Sequence, residues 1–216
     1  VEALIVPEYW PDYRGEPLRL GILASGNGSN FTAVVQAITA KKLPAMITGV
    51  VYNNPGAGVQ QRAKDAGVPS VLINHRHYPS REAFDNDIVV TFNQWGAEWL
   101  IMAGWMRQAT EVLLQPFGTQ VLNIHPSLLP AFPGIKAVEQ ALQAGVKITG
   151  CTVHRVVLAV DRGPIIAQAA VPVLPEDTVA TLHTRIQVQE HRLYPQAILW
   201  AAVGNFPRDV YTDEEW

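Results

Sequence analysis

The sequence is poor in the features that mark several large classes of protein. It has one cysteine, Cys151, in 216 residues. No internal disulfide can therefore form and no cysteine cluster can hold a metal, which fits a reducing compartment. A small buried apolar role is expected for that side chain. No run of about 18 apolar residues occurs, which excludes a membrane-spanning helix. Basic runs are also missing, and the formal net charge is -3. A nucleic-acid surface would need clustered lysine and arginine, so an anionic ligand must be gripped locally. Charged residues make up only 16% of the chain against 48% hydrophobic, with six Trp. That composition excludes a disordered protein and supplies the core of one α/β domain, the chain being too short for two ordinary domains with a linker.

The opening VEALIVPEYWPDYRGEP lacks the basic start and cleavage site of a secretory leader, and Pro7, Pro11 and Pro17 interrupt any helix. Residues 1–17 read as an N-terminal extension with no assigned role, residues 18–204 as the domain, and residues 205–216, ending in DEEW, as a loose tail.

From Leu18 onward, short apolar runs alternate with amphipathic stretches, the pattern of parallel strands joined by crossover helices. Strands are expected at LRLGILA, AMITGVVYN, VPSVLIN, WLIMAG and TQVLNIH. Helices are expected at FTAVVQAITAKK, closed by its lysines, at GVQQRAKDAG, closed by Gly67, and at REAFDNDIVVTFNQW, capped by Ser80. After the proline-rich loop come a helix, AVEQALQAG, and two strand-like runs, ITGCTVHRVV and PIIAQAAVPV, close enough to form a hairpin. A long helix capped by Asp177 or Thr178 and bent by Pro195 follows. The expected class is α/β with a doubly wound, mostly parallel sheet, helices on both faces, and a C-terminal hairpin plus long helix.

In the first strand-to-helix turn, Ser25-Gly26-Asn27-Gly28-Ser29-Asn30, two glycines let backbone N–H groups approach an anion at a helix N-terminus. The dinucleotide fingerprint fails twice: Phe31 takes the third glycine position, and Tyr52-Asn53-Asn54 offer no acid for a ribose. With no Walker lysine either, a phosphomonoester suits the turn better than NAD or ATP; the alternative is an ordinary tight turn.

Asn123-Ile124-His125-Pro126 closes the fifth strand, and alternation points Asn123 and His125 to one side. A carboxamide beside an imidazole is what acyl transfer to nitrogen needs: donors for an oxyanion and a group that holds or passes a proton. The plainer alternative is a buried histidine satisfied by backbone. Asp161, in Val160-Asp161-Arg162-Gly163-Pro164, follows an apolar run that would partly desolvate it, although spacing alone favours ordinary turn chemistry. His75 and His77 share a loop without companions at metal-ligand spacing, and His154, His183 and His191 have equally plain readings, so no metal site is expected.

Taken in order, SGNGSN, SREAFD, AGWMR, NIHPSLLPAFPG, DRGPIIAQ and RIQVQEHRLYP resemble the phosphoribosylglycinamide formyltransferase family from about Leu18 to Ala202. The resemblance implies formyl transfer from 10-formyltetrahydrofolate to the amine of glycinamide ribonucleotide in purine synthesis, with Asn123, His125 and Asp161 catalytic. It implies that the nucleotide contacts Gly28, Ser29, Asn30, Phe31, Pro126 and the helical stretch Gln187, Val188, Gln189 and Glu190. The folate is implied to lie against Met106, Arg107, Gln108, Ala109 and Asn123 and the loop Val157, Leu158, Ala159, Val160 and Asp161, with Arg81 facing its glutamate tail. Two departures stand out: Val157-Leu158-Ala159 replaces acidic residues frequent in relatives, and MRQAT replaces a more apolar run. A cytoplasmic monomer or homodimer is expected, without nucleic acid, membrane or metal.

The mechanism that follows is direct. The amine attacks the formyl carbon, Asn123 and protonated His125 steady the oxyanion, and Asp161, through water, moves the proton toward the leaving nitrogen. One rival is a formyltetrahydrofolate deformylase, disfavoured by the phosphate turn and by the 17 residues before Leu18, too few for its regulatory domain. A methionyl-tRNA formyltransferase would need a longer, basic chain. A ligand-binding protein without catalysis would share the fold alone.

Overall fold

The computed structural model describes residues 4–204. Its eight strands form one sheet. In chain order they are β1 (Leu4–Val6), β2 (Leu18–Ala24), β3 (Ala45–Tyr52), β4 (Ser70–Leu72), β5 (Trp99–Met102), β6 (Val121–His125), β7 (Ile148–Arg155) and β8 (Ile165–Pro172). Across the sheet the order is β1-β8-β7-β6-β5-β2-β3-β4. Strands β6, β5, β2, β3 and β4 are parallel, whereas β7, β8 and β1 join antiparallel. The expected doubly wound α/β sheet is therefore present. From β2 the chain winds first toward β4 and then back through β5 and β6, and the crevice at such a reversal is where open α/β sheets bind ligands.

Six helices cover the sheet: α1 (Ser29–Thr39), α2 (Val59–Asp65), α3 (Arg81–Trp95), α4 (Glu111–Phe117), α5 (Ala137–Gln143) and α6 (Val179–Val203). Alternation along the strands divides the core in two. Leu20, Ile22, Trp99, Ile101 and Leu122 pack with α1 and α6, whereas Leu23, Leu100, Met102 and Val121 pack with α3 and α4. Tyr194 of α6 is fully buried, and its hydroxyl lies 3.1 Å from the Met102 carbonyl and 3.0 Å from that of Leu122. It pins the long helix beneath the two strands whose ends carry the site.

Several elements depart from expectation. Helix α1 stops at Thr39, so Lys41 and Lys42 lie beyond its end, Lys41 with φ 56°. Helix α4 was not foreseen; Thr110 begins it, and the Thr110 N–H donates to the buried Asp85 carboxylate on α3 at 2.7 Å. Ser80 caps α3 by accepting from the Ala83 N–H, and Thr178, not Asp177, caps α6, reciprocally with Thr181. Asp177 instead pairs with Arg185 at 2.6 Å. Helix α6 continues through Pro195.

The segment left without a role contributes β1, which pairs with the outer edge of β8 and buries Ile5. Gln196 donates to the carbonyls of Pro7 and Tyr9, and the Trp200 indole N–H to that of Tyr9. The tail expected to be loose, residues 205–216, lies outside the described residues. Among those described, no helix is long and apolar enough to cross a membrane.

Candidate functional site

The glycine turn follows β2. Gly28 precedes α1 with φ 79°, and a Cβ there would lie 2.7 Å from the Val59 side chain, so glycine is required on two counts. No side chain caps α1, which leaves its first-turn amides facing outward. Across from them, α6 supplies Gln187, whose amide donates to Ser29 Oγ at 3.1 Å, and Glu190, whose carboxylate accepts from Asn30 Nδ2 at 3.0 Å. Burial pushes the Glu190 carboxyl up, against the opposing pull of Asn30 and His183. Asn30 Oδ1 is buried without a hydrogen-bond partner. Phe31 is buried beneath the turn, and Gln189 pairs with Arg192 while Val188 stays exposed.

The other half of the site lies on the sheet face that α3 and α4 leave uncovered. Asn123 and His125 share that face, and the β6–β7 register sets them beside His154 and Thr152. The β7–β8 connection is wider than expected, since β7 ends at Arg155 and β8 starts at Ile165. This width lets residues 156–164 reach back over β6 and deliver Asp161, with φ 54°, to the two histidines. One Asp161 oxygen lies 3.3 Å from His125 Nδ1 and accepts from the Gly134 N–H at 2.7 Å. The other lies 3.6 Å from His154 Nε2.

Hydrogen-bond accounting restricts the protons. A carbonyl only accepts, so His125 Nε2, 2.8 Å from the Phe132 carbonyl, carries a hydrogen, as does His154 Nδ1, 2.8 Å from the Arg155 carbonyl. The His125–Asp161 contact is then a hydrogen bond when Nδ1 is protonated too, as an imidazolium against a carboxylate. Burial alone would push the Asp161 carboxyl up; His154, the Gly134 amide and His125 outweigh it and hold the carboxyl below its ordinary range. His154 Nε2 also lies 3.2 Å from Asn123 Nδ2. When neutral, His154 accepts there and leaves the second amide N–H of Asn123 for a ligand, whereas its pull on the Asp161 carboxyl requires a hydrogen on Nε2.

The loop after β6 is tied to the hairpin by Thr152. Its hydroxyl donates to the Ser127 carbonyl at 2.7 Å and accepts from the Leu129 N–H at 3.0 Å and from Gln168 Nε2 at 2.9 Å. A cavity of about 510 Å³ opens in front of these groups. Of the residues anticipated there, Met106, Arg107, Gln108, Ala109, Asn123, His125, Pro126, Val157, Leu158, Val160 and Asp161 line it. Ala159 and Arg81 stand outside the lining, although Arg81 donates to Gln108 at 2.9 Å. The Met106 N–H donates to Ser25 Oγ, which joins the cavity wall to the glycine turn.

His154 is the residue that a reading of the sequence passes over. Its signal was alternation: Gly150, Thr152 and His154 share one face of β7, and only the antiparallel pairing with β6 turns that face toward Asn123. The backbone of Phe132 and Gly134 left no signal, because main-chain groups have none.

A glycine turn at the point of sheet reversal, next to an amide–imidazole–carboxylate cluster, describes an enzyme that transfers a group to or from a phosphorylated molecule. The chain belongs to the formyl transferase family, which it matches over residues 18–198. Its branch is that of the phosphoribosylglycinamide formyltransferases. The one from Bacillus subtilis is 42% identical over 180 residues, 83% of this chain and 92% of that protein. The crystal structure of glycinamide ribonucleotide transformylase 1 from Symbiobacterium toebii superimposes with a TM-score of 0.86 at 44% identity, over 88% of this chain and 90% of that one. The human trifunctional purine biosynthetic protein adenosine-3 is 41% identical over 186 residues, 86% of this chain, which spans only 18% of that protein's length.

Proposed function

We propose that the chain transfers the formyl group of 10-formyltetrahydrofolate to the amine of glycinamide ribonucleotide, a step of purine biosynthesis. The observation that carries this reading is the convergence of Asn123, His125 and Asp161 on one cavity wall, linked through Ser25 to a turn built for phosphate. The amides of α1 and the turn residues Gly28, Ser29 and Asn30 receive the phosphate, with Phe31 beneath them, and Gln187 and Glu190 receive the ribose side of the nucleotide. The cavity suits a flat heteroaromatic carrier, with Met106, Val157, Leu158 and Val160 as apolar walls, and with Arg107 in the lining and Arg81 bonded to Gln108 beside it for carboxylates. Val188 and Ala159 contribute backbone at most.

In the reaction the amine nitrogen bonds to the formyl carbon and the carbonyl oxygen takes negative charge. The second N–H of Asn123 and the shared Nδ1–H of His125 receive that charge. Asp161, unprotonated because its neighbours hold its pKa down, takes the amine proton through water. As the tetrahedral intermediate collapses, the C–N bond to the folate breaks and the proton passes to the departing nitrogen. The test is a spectrophotometric assay of the folate product. Product should form only when glycinamide ribonucleotide is present, and Asn123→Ala should lose about 100- to 1000-fold in turnover. Formate release at the transfer rate without the nucleotide would instead mark a hydrolase.

A further inference from the structure

The backbone that holds His125 and Asp161 is an unusual one. Within five residues Phe132, Gly134 and Lys136 adopt φ of 55°, 80° and 60°. Left-handed backbone on residues other than glycine persists where the surroundings over-determine it. Side-chain packing does little of that here, since Ile135 is 81% exposed. Hydrogen bonds do the rest. The Phe132 carbonyl accepts from His125 Nε2 and the Gly134 N–H donates to Asp161. Two further carbonyls of the turn, those of Pro133 and Ile135, are both held by one amide, Gln140 Nε2 of α5, at 3.2 and 2.8 Å.

We infer that Gln140 is a positioning residue for formyl transfer, resting on the function proposed above. It does not line the cavity. It acts by clasping the turn so that one carbonyl holds the Nε2 hydrogen of His125 and aims Nδ1 at Asp161, while one amide keeps Asp161 ionised. Without the clasp, the turn relaxes toward right-handed backbone, the Phe132 carbonyl leaves His125 and the Gly134 amide leaves Asp161. The imidazole then loses its fixed orientation and the carboxylate loses one of the three groups that hold its pKa down. Among the described residues no hydrogen bond joins the glycine turn after β2 to this clasp, so nucleotide binding is spared.

Gln140→Met keeps the length of the side chain and its helix propensity but donates nothing; Gln140→Glu is isosteric and faces the same carbonyls with an acceptor. For either variant, kcat should fall about 10- to 100-fold, the scale of misplacing reacting groups by about an ångström. KM for glycinamide ribonucleotide should stay within about twofold, because only interactions at the reacting centre are lost. The acid limb of the kcat profile should move to higher pH. In ¹⁵N-histidine spectra of the protein alone, the His125 imidazole nitrogens, assigned by comparison with His125→Gln, should lose the wild-type Nε2–H signature. A variant that folds, melts at a lower temperature and keeps the wild-type kcat, pH profile and imidazole spectrum would reduce Gln140 to a helix-end stabiliser and overturn the inference. If the wild type transfers no formyl group, the reaction assignment fails by itself, and the imidazole spectra still decide the clasp.

Discussion

Replacing Asp161 by asparagine isolates charge from shape at the centre of the site. Asparagine tolerates the left-handed backbone of this position, φ 54°, so little strain is added. Its carbonyl oxygen can keep the 2.7 Å bond from the Gly134 N–H and the place facing His125 Nδ1, and its NH₂ then faces His154 Nε2. With the carboxylate charge gone, His125 loses the anion that favours a hydrogen on Nδ1 opposite it. Both the anion that supports a positive edge toward the oxyanion and the acceptor for the amine proton are removed. Loss of acid–base catalysis of this kind costs about 10²- to 10⁴-fold in turnover. Stability should change by only ~1–2 kcal/mol, because the lost charge-assisted bonds are offset by relief of a buried carboxylate's desolvation. Turnover would be measured by folate-product absorbance and stability by urea unfolding, both near neutral pH. Turnover within about threefold of wild type, with the fold intact, would refute the role given to Asp161.

Other substitutions probe the supporting structure. Gly28→Ala should raise KM for glycinamide ribonucleotide about tenfold and leave KM for the folate unchanged, since φ 79° and the nearby Val59 force the phosphate turn to shift; steady-state kinetics with each substrate varied will show it. Thr152→Val strands the Leu129 N–H and the Ser127 carbonyl and should cost about 2–4 kcal/mol in urea unfolding, a large effect for an isosteric change. In acid, the signs oppose one another. Asp161 and Asp177 have folded pKa values below the ordinary 3.8, so their stabilisation is present above that value and lost as pH falls through the folded ones. Glu190 and Asp85 are raised by burial, so their ionisation weakens the fold at neutral pH and stability is recovered as pH falls through their folded values. Thermal unfolding against pH should therefore show a shallow gain on mild acidification and a steep loss below about pH 4. The steep part should be smaller in Asp161→Asn.

The parallel half of the fold was legible because each unit announces itself locally. LRLGILA, the glycine turn and an amphipathic stretch follow one another, and Ser80 and Thr178 mark helix starts by their own chemistry. The pair Asn123 and His125 was equally plain, being two positions of a single strand. What stayed hidden depends on pairing between distant segments. His154 matters only through β7 lying antiparallel to β6, and Asp161 reaches His125 only because the intervening loop is wide. Helix α4 escaped notice because its start is set by Asp85, 25 residues earlier, rather than by a local cap. The first 17 residues, rich in proline, gave no periodicity from which a strand could be read.

That first strand changes where the folding unit begins. Family similarity starts at residue 18, yet Leu4–Val6 complete the sheet along β8. A version trimmed to the region of similarity would bare a row of main-chain donors and acceptors at Gln168–Ala170, an open template on which other extended chains can align. It would also uncover the flank of α6 around Gln196 and Trp200. Shortened in that way, the enzyme should keep its chemistry and gain a tendency to self-associate through that edge.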